Sequence, residues 1–100
     1  MKNANEMRVI ANTVKNTYRE DYKNSRIFQE VMEDIAQGIE RKANVGALEY
    51  SHDMKKAFSG VYYFSNREIA EIYMYAIAEY GYNVSILTNN NLRISWEIEE

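Results

Sequence analysis

His52 is the lone histidine of this sequence and its only side chain with an ordinary pKa near neutrality. Asp53 follows it, and Ser51 and Ser59 lie close by, so nucleophile, base and carboxylate are all present in one short stretch. The stretch reads as a strand, however, and adjacent strand residues face opposite sides of a sheet, which misaligns His52 and Asp53 for a relay. Zero cysteines remove thiolate nucleophiles, thiolate metal sites and disulfides. Glu30, Glu33, Asp34 and Glu40 have the spacing of a solvated helix face, and one histidine cannot gather them into a metal site. No GxGxxG, Walker A, HExxH or EF-hand pattern occurs, and Gly38, Gly46, Gly60 and Gly81 stand alone as caps or turns. The expectation is a protein without catalytic residues, metal or cofactor.

Binding chemistry is better represented. Residues 54–64 bring Lys55 and Lys56 together with Phe58, Tyr62, Tyr63 and Phe64, and Arg67 follows closely. Cations beside aromatic planes suit the phosphate and base of a nucleotide, and exposed aromatics also suit a protein partner. The candidate ligand or partner-binding residues are therefore Lys55, Lys56, Phe58, Tyr62, Tyr63 and Arg67. The plainer alternative is that two or three of the aromatics turn inward to close the core. A second set, Val9, Ile27, Met74 and Tyr75, lies beside or opposite the apolar stripes of its helices and supplies candidate interface residues.

The elements that hold these residues follow from periodicity. Asn3 with Glu6 caps a first helix whose apolar stripe is Met7, Ile10, Ala11, Val14 and Tyr18, ending near Tyr22. Ser25 caps a second, with Phe28, Val31, Met32, Ile35 and Ile39 on one side, stopped by Asn44 and Gly46. The period changes to two over 47–53, which predicts a strand with Leu48, Tyr50 and His52 on one face. Residues 54–64 fit neither period and read as a loop with a short strand extension at its end. Ser65-Asn66-Arg67-Glu68 is a capping box for a third helix bearing Ile69, Ile72, Tyr73, Ala76, Ile77 and Tyr80, closed by Gly81. Tyr82, Val84 and Ile86, then Asn89-Asn90-Asn91, then Leu92, Ile94, Trp96 and Ile98, describe a hairpin.

The order α-α-β-α-β-β predicts an α+β fold with three helices on one face of a three-stranded antiparallel sheet, the last strand central. Its apolar face is expected to be Leu48, Tyr50, Val84, Ile86, Ile94 and Trp96, covered by the second and third helices. The opposite face, with Glu49, Ser51, Asn83, Ser85, Leu87, Arg93, Ser95 and Glu97, reads as solvated and lacks the stacking aromatics of an RNA-binding sheet. The first helix is left for a second copy or another protein, so a homo-oligomer is expected.

One hundred residues support one domain. Twelve basic and fifteen acidic residues give a net charge of -3. That is too small to imply a polyanionic partner, and residues 65–100, with two basic against six acidic residues, would repel duplex DNA. No apolar run approaches a membrane span and no leader-like segment opens the chain, so a cytoplasmic protein without a membrane partner is expected.

The two N-terminal helices, Ile39-Glu40-Arg41-Lys42-Ala43-Asn44-Val45-Gly46 leading into a strand, Glu79-Tyr80-Gly81-Tyr82-Asn83-Val84 and Leu92-Arg93-Ile94-Ser95-Trp96 resemble a recurrent type of small bacteriophage and prophage accessory protein. The likeness covers residues 25–96 and departs from that type in the long aromatic segment 54–64, where a short connection is the pattern. It implies the fold and a viral origin within an infected bacterial cell, and carries no catalytic residue. On that footing the leading expectation is a non-catalytic accessory protein that antagonises a host factor, such as a defence component, by direct binding. The alternatives are a sponge for a cyclic or modified nucleotide, held by Lys55, Lys56, Tyr62, Tyr63 and Arg67 between subunits, and a minor virion or morphogenesis protein.

Overall fold

The computed structural model describes residues 1–59 and 63–98. Helix α1 spans Ala4–Lys23, and its Asn3 cap accepts a hydrogen bond from the Glu6 amide at 2.9 Å. Helix α2, Arg26–Asn44, starts at Ser25, whose hydroxyl accepts from the Phe28 amide. It ends as the sequence predicts, with Gly46 at φ 82° and the amides of Gly46 and Ala47 returning to Ala43 and Lys42.

Strand β1, Glu49–His52, follows. The segment expected to be loop then contains a one-turn helix, α3, Lys55–Phe58. Its physical cause is a short apolar triplet. Met54, Ala57 and Phe58 stand three and four residues apart, Met54 and Ala57 are fully buried, and Asp53 Oδ1 accepts from the Lys55 amide to start the turn. Helix α4, Asn66–Ala78, is the third helix of the sequence pattern and carries both halves of the Ser65–Glu68 capping box. Strands β2, Asn83–Ile86, and β3, Leu92–Ser95, form the hairpin, with Asn90 in the left-handed region at φ 65°.

The sheet order is β1-β3-β2 and both pairings are antiparallel, so the last strand is central as expected. Register places Tyr50, Ile94 and Val84 in one row and His52, Leu92 and Ile86 in the next. These six residues form the covered face. The expected face also held Leu48, which is 49% exposed, because the four-residue ladder ends before it and alternation outruns the pairing. Trp96 is half-buried and meets Tyr82 edge to face at 6.4 Å. The outer face is polar, with an ion pair between Arg93 and Glu49 across the central ladder.

Helix α2 lies over β1 and α4 over β2, while α3 wedges between the two helices. The core is Val31 and Ile35 of α2, Met54 and Ala57, Phe64, Ile69, Ala70, Ile72, Tyr73 and Ile77 of α4, and Leu92 and Ile94 of β3. From α1, Tyr22 is buried in it and Tyr18 packs against it. The rest of α1 projects, which gives the molecule a long axis of 60 Å against 33 and 23 Å.

Candidate interaction surface

The contact between α1 and the body is made by its last turns. The Tyr22 hydroxyl reaches the Tyr73 hydroxyl at 2.7 Å and the Ala57 carbonyl at 3.4 Å. Ala57 O can only accept, so Tyr22 donates to it and Tyr73 donates to Tyr22. Burial pushes the Tyr22 phenol up, partly offset by the hydrogen bond it receives. Burial raises Tyr73 much further, and donation to Tyr22 adds to the rise. Both therefore remain neutral hydroxyls that seal a dry joint. Around them Phe28 stacks on Tyr73 at 4.9 Å and meets Tyr22 edge to face at 5.9 Å.

One turn earlier, Tyr18 stacks on Tyr63 with ring centroids 4.3 Å apart. Lys15 Nζ lies 3.2 Å from Glu68 Oε2. Burial pushes the Glu68 carboxyl up, but the hydrogen bonds from Lys15 and Ser65 outweigh it, and the net shift is downward. These three contacts hold the C-terminal part of α1 beside α4.

Before Lys15 no hydrogen bond or ion pair among the described residues joins the helix to the body, and every residue from 1 to 17 is exposed. The apolar stripe that periodicity assigns to a buried face is open: Met7 is 52%, Ile10 40% and Val14 43% exposed. Val9, on the opposite side, is 65% exposed. Val9, Asn12, Thr13, Val14, Asn16 and Thr17 are weak helix formers, so propensity does not account for this segment as a free-standing helix.

A second apolar surface is open elsewhere. Between the C-terminal half of α2 and the end of α4 runs a groove of about 570 Å³, with Met32, Ala36, Ile39 and Ala43 on one wall and Ile77, Tyr80 and Tyr82 on the other. The alanines make it, because their short side chains leave the space between larger neighbours unfilled. Glu33 and Glu40 border the α2 wall. Sequence reasoning leaves the first helix for a partner but does not assemble this groove. The stripe's residue types were visible, whereas the groove joins positions more than thirty residues apart in sequence, from Met32 to Tyr82.

The residues singled out from sequence are dispersed. Lys55 is exposed on α3. Lys56 points to α2, with Asp34 at 3.3 Å and Glu30 at 3.7 Å. Arg67 pairs with Glu71 at 3.3 Å along α4. Phe58 is half-buried and Phe64 buried against the core, the inward closure that was the plainer alternative for this segment. Tyr62 lies outside the described residues. Tyr63 does remain available, and it shares a small pocket with Ile27 and Tyr18. Met74 is half-buried on the core, while Tyr75 is exposed over Arg19 and Lys23.

His52 is half-buried and its Nδ1 lies 2.7 Å from the Tyr50 hydroxyl. Burial lowers its pKa, against the opposing fields of Asp34 and Asp53, and burial likewise raises Tyr50, with Arg41 opposing and Asp34 adding. Both shifts favour the neutral phenol and the neutral imidazole, which share one hydrogen bond. Among the described residues no group of three or more His, Cys, Asp or Glu side chains converges as a metal site, and no helix is long and apolar enough to cross a membrane. In comparisons with known proteins, the chain matches no family model, no curated protein and no solved structure.

Proposed function

We propose that this protein acts by binding another protein, without catalysis, and that α1 is its contact surface. The observation that carries the reading is the open stripe Met7, Ile10 and Val14, on a part of the helix that, among the described residues, makes no hydrogen bond or ion pair to the body before Lys15. Apolar side chains repeated at helical spacing stabilise a helix only when something covers them, and about 0.8 kcal/mol per buried CH₂ is forgone while they face water. Amphipathic helices of this kind bind by laying the apolar face into a groove on a partner. In the bacteriophage setting that the sequence resemblance implies, the partner is a host factor, antagonised by occupation of its surface.

The nucleotide-sponge reading has less behind it. It needs Lys55, Lys56 and Arg67 to converge on phosphate, and Lys56 and Arg67 instead meet carboxylates on different helices. A photo-crosslinking side chain at Ile10 tests the leading reading in living cells. Protein adducts are expected at this position and not at Ser85 on the solvated sheet face; no adduct at Ile10 would remove α1 as the contact surface.

A further inference from the structure

The two open apolar surfaces of this chain match each other. We propose that the projecting part of α1 docks in the α2–α4 groove of a second copy, and that two copies exchange helices reciprocally. This rests on the reading of α1 as a contact surface and names one partner for it.

Three features carry the match. Length is the first. From Ala4 to Val14 the helix extends about 15 Å, and the α2 wall from Met32 to Ala43 extends about 17 Å. Shape is the second, since the groove has Ala36 and Ala43 where an incoming helix presents Met7, Ile10 and Val14, and large side chains against small ones let two helices approach.

Charge is the third. Arg8 borders one side of the stripe and meets only the neutral Asn5 Oδ1, Glu6 borders the other side, and Glu33 and Glu40 border the α2 side of the groove with no cation within 4.0 Å among the described residues. A helix carrying an unneutralised arginine beside an apolar stripe complements a groove edged by unneutralised glutamates.

The chain cannot satisfy the match alone. Tyr22 bonded to Tyr73, Tyr18 stacked on Tyr63 and Lys15 paired with Glu68 hold α1 beside α4 and away from its own groove. In a second copy the same arm is unrestrained. Each copy then supplies one arm and one groove, and a two-fold pair closes with both filled.

Sedimentation of the full chain and two variants tests this. Ile10→Asp puts a charge in the stripe, and Ala36→Glu fills the groove from an exposed helical position, so neither disturbs the core; a retained cooperative unfolding transition in each variant confirms it. The wild type is expected to sediment with the mass of two chains and each variant with that of one. An equimolar mixture of the variants should recover a two-chain species, because the intact arm of one fits the intact groove of the other.

A wild type that stays monomeric at all concentrations overturns the proposal. Ile10 crosslinks to a different protein would then leave the binding reading standing, whereas no crosslinks would overturn both. A dimer lost in Ile10→Asp but kept in Ala36→Glu means that α1 pairs with α1, which also overturns it.

Discussion

The Tyr50 ring of β1 occupies the space that a side chain at Gly38 of α2 would need: a Cβ built there overlaps the ring carbon bearing the hydroxyl. Gly38 stands inside α2 and is neither a cap nor a turn, and helix propensity alone favours alanine there by about 1 kcal/mol. The packing reverses that preference. Tyr50 cannot swing aside freely, because its hydroxyl is held on His52 Nδ1 at 2.7 Å. Gly38→Ala should therefore destabilise the fold by about 1–3 kcal/mol, the range for forced overpacking. Urea denaturation measures it, and a stabilised variant would show that the helix–strand contact yields.

The hydroxyl chain from Tyr73 through Tyr22 to Ala57 predicts unequal costs for two similar substitutions. Tyr73→Phe leaves Tyr22 still donating to the Ala57 carbonyl. Tyr22→Phe strands both the Tyr73 hydroxyl and that carbonyl in the core. A buried polar group left without its partner costs about 1–3 kcal/mol, so Tyr22→Phe should lower stability more than Tyr73→Phe. Melting curves of both variants decide it, and the reverse order would mean the proton runs the other way.

His52 makes stability depend on pH in a definite direction. Its folded pKa lies below 6.5, chiefly through burial. Above about 6.5 the imidazole is neutral in both states and the full stability is present. As the pH falls below 6.5 the unfolded chain takes up the proton first, so stability declines until the depressed folded pKa is passed. The denaturation midpoint should fall through this window in the wild type and fall less in His52→Gln. Equal slopes would assign the effect to the carboxylates instead.

Amide exchange in α1 should divide the helix near Lys15. In the Ala36→Glu variant, amides of residues 4–14 are expected to exchange far faster than those of residues 18–22, whose side chains reach Tyr63 and Tyr73. In the wild-type assembly the first group should be protected as well. Uniform protection in the variant would mean that the arm is stable as a lone helix.

Local signals were legible where they are complete within a few residues. The Ser65–Glu68 box, the Asn89–Asn91 turn and the Gly81 stop each specify their own geometry, and with them came the element order and the central place of β3. The turn at 55–58 was obscured because four residues are too few to show a period, and Lys55 and Lys56 interrupt Met54, Ala57 and Phe58. Leu48 continued the alternation of β1 past the last ladder pair, which only the partner strand decides.

The candidate surface was harder for a related reason. Periodicity gives α1 an apolar face and is silent on what covers it, so Met7, Ile10 and Val14 read like core residues. The cations of the aromatic segment looked available because their partners are remote: Asp34, which takes up Lys56, lies 22 positions away.

Because β3 lies between β1 and β2, the latest of these three strands in sequence takes part in every strand pairing among the described residues. Until residues 92–95 leave the tunnel, Tyr50 and Val84 have no strand between them, and α2 and α4 have no sheet to rest on. A nascent chain that has not reached residue 92 therefore carries helices and unpaired strands. A stop anywhere before Leu92 would release a chain without a sheet, a ready substrate for cellular proteases.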